Sequence, residues 1–214
     1  MKKQFPLFLL LFFAFTCHAV IAQSNDSINK ISDERSFSGG LVVDTSGTMR
    51  LKMDLVISML RSFVELNGTD DQVFLVTFTD SDNINIRQEM TTNKEELEDE
   101  IENIFIQPGR TAIIDALWAA ADYLVDSSKN VQGRYLILIS DGDERASRVK
   151  LPDLVAKLKN ENIAVYIMGI AEQKVETKLL DKIAKESGGR LFVPQTRPEV
   201  LETAQRIRQE IRSR

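Results

Sequence analysis

Five short apolar runs, each separated from the next by a stretch with helical periodicity, constrain the fold of this chain most strongly. The runs span residues 40–44, 72–79, 134–140, 163–170 and 190–193. Most of them are apolar at nearly every position, which is typical of strands buried on both faces of a mainly parallel sheet. A more polar run, residues 84–88, is predicted to form an antiparallel edge strand beside the second one.

The segments between these runs repeat apolar residues every three or four positions, as amphipathic helices do. They span residues 49–67, 93–104, 111–127, 151–160, 176–187 and 197–212. Asn93 and Glu96 have the spacing of a capping box, and Thr196 with Glu199 is predicted to cap the last helix. This alternation of strands and helices predicts an α/β fold, with a doubly wound, mainly parallel central sheet and helices on both faces.

The first 22 residues have the composition of a targeting segment. Lys2 and Lys3 precede an almost unbroken apolar stretch, residues 7–21, and Ala22 offers a small residue for cleavage. Residues 1–22 are therefore interpreted as a secretory signal peptide, and the chain is expected to be exported to the periplasm or the cell exterior. An uncleaved membrane anchor is the alternative, for which the apolar stretch is slightly short.

The rest of the chain divides into a polar segment and one domain. Residues 23–36 are interpreted as a flexible linker, and residues 37–214 are long enough for a single domain with a hydrophobic core. No second membrane span follows the leader in the sequence. The oligomeric state is left open by the sequence.

Removal of the leader would exclude several classes of chemistry. It carries the only cysteine and the only histidine, Cys17 and His18, so the mature chain would have no disulfide, thiol nucleophile, Cys/His zinc site or histidine base. Loss of Lys2 and Lys3 would leave 25 basic against 32 acidic side chains, a net charge of −7. That balance disfavours nucleic acid and anionic membrane surfaces as partners.

Two of the predicted strands end in aspartate, Asp44 in LVVDTSGTM and Asp141 in LILISDGDE. In an open α/β sheet, ligands bind beyond the carboxyl ends of the strands, where the strand order reverses. If the first and fourth strands are neighbours there, both aspartates meet at one edge, together with the hydroxyls of Ser46, Thr48 and Thr111. Two carboxylates and three hydroxyls, without nitrogen or sulfur, suit Mg²⁺ or Mn²⁺ rather than zinc.

Each of these residues also has a simpler structural interpretation. Hydroxyl residues just before a helix usually act as N-caps, which would account for Ser46, Thr48 and Thr111. Asp141 and Gly142 form a common turn dipeptide, and Asp44 would then cap the turn after its strand. The arrival of all five residues at one edge favours the metal site.

The motifs LVVDTSGTM, GRTAIIDAL and LILISDGDE, in this order, resemble the von Willebrand factor type A domain and its metal-ion-dependent adhesion site. That family has Asp-x-Ser-x-Ser after its first strand, a threonine that opens a middle helix and an aspartate after its fourth strand. The matching positions here are Asp44, Ser46, Thr48, Thr111 and Asp141. Thr48 replaces a serine but keeps the hydroxyl. The resemblance covers residues 37–212, is greatest to exported bacterial single-domain members, and implies a Rossmann-like fold.

The resemblance also implies a function. Ser46, Thr48 and Thr111 would ligate Mg²⁺ or Mn²⁺ through their hydroxyls, and Asp44 and Asp141 would hold water molecules in its shell. A coordination position would remain open for an external carboxylate. The chain is therefore expected to be a non-enzymatic, adhesion-type module that binds an Asp or Glu of a partner protein.

A second resemblance, to haloacid dehalogenase phosphatases, implies an enzyme instead. The first motif of that family is Asp-x-Asp-Gly-Thr after an apolar strand, and LVVDTSGTM differs from it only at Ser46. The replaced aspartate is the general acid/base, and a serine cannot take that role at neutral pH. A third possibility is an α/β scaffold whose site no longer holds a metal.

Overall fold

A computed structural model describes residues 36–128, 131–171 and 175–214 of the chain. The predicted signal peptide, residues 1–22, lies outside the described residues. All of the predicted linker, residues 23–36, except its last residue also lies outside them.

Strands and helices alternate along the described part of the chain. The strands are β1 (Phe37–Asp44), β2 (Gln72–Phe78), β3 (Ile84–Thr91), β4 (Gly133–Ser140), β5 (Ile163–Gly169) and β6 (Leu191–Phe192). The α-helices are α1 (Met53–Leu66), α2 (Lys94–Glu102), α3 (Ile113–Ser127), α4 (Leu151–Asn160), α5 (Thr177–Ser187) and α6 (Arg197–Arg212), and a 3₁₀ helix (Gly47–Lys52) precedes α1. Among these described helices, none combines the length and the apolar character needed to cross a membrane.

The strands form one sheet in the order β3-β2-β1-β4-β5-β6. Neighbouring strands are parallel except β2 and β3, which are antiparallel, so β3 is the antiparallel edge strand. The strand order reverses between β1 and β4, which lie side by side at the centre of the sheet. The predicted α/β, doubly wound fold is confirmed.

Each face of the sheet packs against its own layer of helices. Helices α1, α2 and α6 cover one face, and α3, α4 and α5 cover the other. Along β1, Leu41 and Val43 pack against the first layer of helices, and Val42 packs against the second. Because both faces are buried, the central strands are apolar at nearly every position.

The first strand begins earlier than predicted, at Phe37 instead of residue 40, because two glycines conceal it in the sequence. A Cβ atom at Gly39 would lie 2.1 Å from the Tyr135 ring, and one at Gly40 would lie 2.3 Å from the Phe74 ring. Because glycine has no Cβ atom, these two positions leave room for the two buried aromatic rings. Glycine is needed here for close packing, although it is a poor strand former.

Other predicted boundaries differ where local contacts override periodicity. The helix predicted for residues 49–67 is divided into the 3₁₀ helix and α1, and β3 continues to Thr91. The capping box at Asn93 is wrong in part. The Asn93 side chain accepts a hydrogen bond from the backbone nitrogen of Glu95, while Glu96 accepts one from the Thr91 hydroxyl. The cap of α6 is confirmed, since the Thr196 hydroxyl accepts a hydrogen bond from the Glu199 backbone nitrogen.

A buried ion pair holds α6 at the edge of the sheet where β1 and β2 begin. The Asp71 carboxylate accepts hydrogen bonds from the backbone nitrogens of Phe37 (3.0 Å) and Gly68 (2.8 Å), and it pairs with the Arg212 guanidinium. That guanidinium also lies 4.8 Å from the centre of the Phe37 ring. The side chains of Asp71 and Arg212 are only 6% and 14% exposed, so removal of one partner leaves a poorly solvated charge.

Arg212→Met is expected to lower the free energy of unfolding by about 3 kcal/mol, because the buried Asp71 carboxylate would lose its counter-charge. Chemical denaturation measures this loss. The matched control is Arg206→Met on the same helix, which removes only an exposed pair with Glu202 and should cost less than about 1 kcal/mol. Equal losses in the two variants would contradict the importance of the buried pair.

Candidate metal centre

Three loops meet at the carboxyl ends of β1 and β4: residues 45–52 after β1, residues 103–112 before α3, and residues 141–150 after β4. The Gln107 backbone nitrogen donates to the Thr45 carbonyl oxygen (2.9 Å), which joins the first two loops. The Arg145 backbone nitrogen donates to the Thr111 carbonyl oxygen (2.9 Å), which joins the last two. All three loops thus lie at the reversal of strand order, where folds of this kind bind ligands.

Asp44 is fully buried at the end of β1, and each of its carboxylate oxygens accepts a hydrogen bond. Oδ1 accepts from the Ser46 backbone nitrogen (2.9 Å), and Oδ2 accepts from the Ser140 hydroxyl (2.7 Å). Ser140 Oγ in turn accepts from the Gly142 backbone nitrogen (3.1 Å). Ser140 therefore positions the carboxylate. Sequence reasoning missed this residue, although a hydroxyl at the end of the apolar run LILIS was a usable signal.

The surroundings of Asp44 oppose its ionisation. Burial raises the pKa of Asp44 from its ordinary value of 3.8 to about 6, and the charge of Asp141 contributes in the same direction. Hydrogen bonds from Ser46 and Ser140 act in the opposite direction, but they do not cancel the effect of burial. An added positive charge at this edge would favour the ionised carboxylate.

The hydroxyls of Ser46 and Thr48 lie together at the start of the 3₁₀ helix. Their oxygens are 3.1 Å apart, and Ser46 is buried while Thr48 is exposed. Adjacent oxygen ligands of an octahedral Mg²⁺, with bonds of about 2.1 Å, lie about 3 Å from each other. The N-cap interpretation is wrong for Ser46, because its side chain makes no capping hydrogen bond.

Thr111 is buried and lies two residues before the start of α3, outside the helix that it was predicted to open. Its side chain is not the N-cap. The Ile114 backbone nitrogen donates instead to the Glu144 carboxylate (3.2 Å) and to the Ser147 hydroxyl (3.1 Å), both from the loop after β4. The helix is therefore capped from a distant part of the chain, and Thr111 is not needed for that purpose.

Asp141 follows β4 and is only 7% exposed. Its Oδ1 accepts a hydrogen bond from the Asp143 backbone nitrogen (3.0 Å), and its charge is close enough to raise the pKa of Asp44. The turn interpretation is correct for Gly142, which has a φ of +87° and leaves no room for a Cβ atom beside the Glu176 carbonyl oxygen. Asp141 thus occupies a turn and also belongs to the acidic part of the site.

Asp115, in the first turn of α3, was also missed by sequence reasoning. Its carboxylate accepts hydrogen bonds from the backbone nitrogens of Arg148 (2.9 Å) and Val149 (2.8 Å), and so it holds the loop after β4 against α3. Burial opposes its ionisation, but hydrogen bonds from Ser81, Arg148 and Val149 outweigh burial and lower the pKa of Asp115. The signal is an acidic residue within an otherwise apolar helix start.

The residues at this edge fit a small divalent cation bound by oxygen. Within the described ranges, no three His, Cys, Asp or Glu side chains lie together in a way that could hold a metal, so hydroxyls would have to contribute. Ser46 and Thr48 offer adjacent hydroxyls in the loop after Asp44, and Thr111 lies in the loop that contacts the one after Asp141. Hydroxyls and carboxylates are a donor set of the kind that Mg²⁺ and Mn²⁺ accept. At the end of β2, on the same edge, the buried Thr79 hydroxyl has no hydrogen-bond partner in the described part of the chain.

The acidic side chains of the surrounding loops are already engaged. Asp143 forms a salt bridge with Arg145 (2.7 Å), and Asp82 forms one with Arg148 (2.7 Å). Glu144 accepts hydrogen bonds from Ala146, Ser147 and Ile114. These contacts stabilise the loops.

Two exposed arginines lie next to the site in the sequence. Arg50 follows Thr48 by two positions, and Arg110 immediately precedes Thr111. Both are exposed, and neither forms an ion pair with another residue that the structure describes. Near the buried Asp44 and Asp141 carboxylates, these two loops therefore present exposed positive charge.

Comparison with protein families finds a match to the von Willebrand factor type A domain over residues 40–206. Comparison with curated protein sequences finds no match. Solved structures with a similar fold include an aerotolerance-related membrane protein from Bacteroides fragilis that carries multiple mutations to serines. It shares 20% identity with this chain, and the match covers 83% of this chain and 100% of that protein, with a TM-score of 0.65.

Two further structures are similar at the level of fold. A von Willebrand factor type A protein from Catenulispora acidiphila shares 18% identity over 80% of this chain and 42% of its own length, with a TM-score of 0.69. The conserved hypothetical protein BatB from Bacteroides thetaiotaomicron shares 18% identity over 81% of this chain and 98% of its own, with a TM-score of 0.64. This chain thus matches less than half of the Catenulispora protein.

In the absence of divalent metal, Asp44 is expected to make the protein less stable as the pH rises from about 4 to about 6. Because the folded-state pKa is raised from 3.8 to about 6, the native state holds this proton more tightly, and ionisation costs about 3 kcal/mol. Urea unfolding in EDTA at several pH values measures the effect. Asp44→Asn should lack this contribution, and an unchanged difference between pH 4 and pH 6 in the variant would contradict it.

Proposed function

We propose, because the chain belongs to the von Willebrand factor type A domain family, that it is a metal-dependent protein-interaction module. Protein interaction in general follows from the family. The finer proposal is that a Mg²⁺ or Mn²⁺ ion at this site binds an Asp or Glu side chain of a partner protein. The observation that carries this proposal is the pair of adjacent hydroxyls, Ser46 and Thr48, beside the buried Asp44 carboxylate.

In this proposal, Ser46, Thr48 and Thr111 hold the ion through their hydroxyls, and Asp44 and Asp141 act through water molecules. When bound, the ion supplies a Lewis-acid position that an external carboxylate can occupy. Because hydroxyl ligands are neutral and the two carboxylates do not contact the metal directly, much of the positive charge remains available to that external group. An acidic ligand therefore fits this centre better than a neutral one.

The exposed charges near the site support an acidic partner. The whole chain carries a net charge of −5, which by itself would repel such a partner. Arg50 and Arg110 lie on two of the three loops that border the site, and both remain unpaired among the described residues. Complementary charge of this kind contributes more to the rate and selectivity of association than to its final strength.

The proposed function involves no catalysis. Asp44 is fully buried and is held by the Ser46 backbone nitrogen and the Ser140 hydroxyl, which suits a carboxylate that acts through bound water. Ser46 occupies the position where a phosphatase of the haloacid dehalogenase type needs its second aspartate. No observation at the site favours that alternative.

We also propose that the module acts after export, in the periplasm or outside the cell. The lysine-led apolar leader of residues 1–22 supports this location. One of the structurally similar proteins is described as a membrane protein. Oxygen ligands also suit this setting, because such a centre contains no cysteine that oxidation could inactivate.

A short labelled peptide with a single glutamate tests the proposal. In Mg²⁺ or Mn²⁺ it is expected to bind the purified protein, as followed by fluorescence anisotropy. The same peptide with glutamine in place of glutamate should not bind, because an amide carries no charge to satisfy the ion. EDTA and the Asp44→Ala variant should both abolish binding. Asp153→Ala, which removes an exposed acid at the start of α4, should bind as the wild type does.

Two results would contradict the proposal. Binding of the glutamate peptide that is unaffected by EDTA would mean that no metal is involved. Hydrolysis of a phosphate ester in Mg²⁺ that Asp44→Asn abolishes would support the phosphatase alternative.

A further inference from the structure

A groove of about 520 Å³ opens directly beside the proposed metal centre, between the loop after β4 and the first turns of α4 and α5. Its walls include Gly142, Asp143, Leu151, Lys178, Leu179 and Lys182. The volume lies within the range of sites that bind small ligands, so it can also accommodate one or two protein side chains. The buried Asp44 side chain does not line this groove.

The apolar part of this groove comes from two leucines at helix starts. Leu151 is the first residue of α4, and Leu179 is the third residue of α5. Both are partly exposed, and both pack against the hydrophobic core between the sheet and helices α3, α4 and α5. The groove therefore has an apolar surface that is fixed in place by the core. Covering that surface with an apolar side chain would contribute favourably to binding.

One side of the groove carries two exposed lysines. Lys178 and Lys182 are one helical turn apart on α5 and both are exposed, so they lie on one side of the helix. Neither forms a salt bridge with a residue in the described ranges.

Three acidic side chains also line the groove. Asp143 is paired with Arg145, and Glu144 accepts hydrogen bonds from the backbone nitrogen and the hydroxyl of Ser147. Glu176 is likewise engaged. The charge of Asp143 is balanced by Arg145, and the two lysines attract a negatively charged group on their own side of the apolar surface.

We infer that the groove binds the same partner segment as the metal centre, by receiving an apolar side chain close to the metal-binding acid. This inference rests on the proposed function. Asp141, Gly142 and Asp143 are consecutive residues, so the chain that supplies a carboxylate to the centre also forms a wall of the groove. A partner anchored at the centre through its own acid has the groove next to it.

The inferred partner segment is therefore exposed on the partner, and acidic and apolar residues alternate along it. One Asp or Glu binds at the metal centre, a leucine-like residue covers Leu151 and Leu179, and a second acid faces Lys178 and Lys182. The metal-binding acid alone would make this centre bind many proteins weakly. The groove adds the contacts that select one kind of segment.

Labelled peptides of equal length test this inference on the purified protein in Mg²⁺. One series contains a glutamate followed at several spacings by leucine and a second glutamate, and the matched series has serine in place of leucine. At one spacing, the leucine peptide is expected to bind at least about tenfold more tightly than its serine counterpart, as measured by fluorescence anisotropy. Equal affinities at every spacing would overturn the inference.

Variants of the groove identify where the additional affinity comes from. Leu179→Ser should remove the advantage of the leucine peptide, and the double variant Lys178→Glu and Lys182→Glu should weaken binding of the peptides with two acids by about tenfold or more. Lys185→Glu, on the same helix but outside the groove, is the matched control and should have a smaller effect. A double variant that binds as the control does would overturn the inference, and unchanged unfolding curves exclude misfolding as the cause.

The failures of the two proposals can be told apart. If the single-glutamate peptide requires Mg²⁺ but leucine adds nothing, the inference fails and the proposed function stands. If leucine-dependent binding persists in EDTA, the groove is supported and the metal-dependent function is contradicted. If Lys178→Glu with Lys182→Glu instead abolishes self-association seen by ultracentrifugation, the occupant is a second copy of this chain and the inferred partner is wrong.

Discussion

The buried carboxylate of Asp44 is the constraint on which the site depends. It lies where the strand order reverses, and burial raises its pKa to about 6. Two hydrogen bonds, from the Ser46 backbone nitrogen and the Ser140 hydroxyl, hold it in one orientation. They also connect the loop after β1 to the end of β4. A carboxyl group whose ionised form is disfavoured by burial, and whose orientation is fixed by hydrogen bonds, is typical of a functional site.

The two edges of the sheet use buried acids in different ways. At the edge where β1 begins, Asp71 is neutralised by Arg212 from the last helix. At the opposite edge, among the residues that the structure describes, no cationic side chain contributes to the shifted pKa of Asp44. The first acid therefore stabilises the fold with a partner from the same chain. The second has hydroxyls around it instead of a cation, and this contrast supports our proposal that the missing charge is a metal ion.

Much of the fold could be predicted from the sequence because it follows from hydrophobic periodicity. Apolar runs at nearly every position require a sheet covered on both faces, and the aspartates that end two runs must then lie at the same edge. The start of β1 could not be predicted, since Gly39 and Gly40 carry no apolar signal and are explained only by the Tyr135 and Phe74 rings. The cap of α3 was equally hidden, because Glu144 and Ser147 reach it from about thirty residues away. Contacts of such sequence separation have no local pattern.

The central claim is that the hydroxyls and carboxylates at this edge form one divalent-metal site, and titration of Mn²⁺ by calorimetry tests it most directly. We predict one ion per chain for the wild type. Thr111→Val keeps the shape of the side chain but removes its hydroxyl, and should weaken binding by about tenfold or more. Thr77→Val, at a buried threonine within β2, should leave binding unchanged. No heat of binding in the wild type, or equal affinities for the wild type and Thr111→Val, would contradict the account.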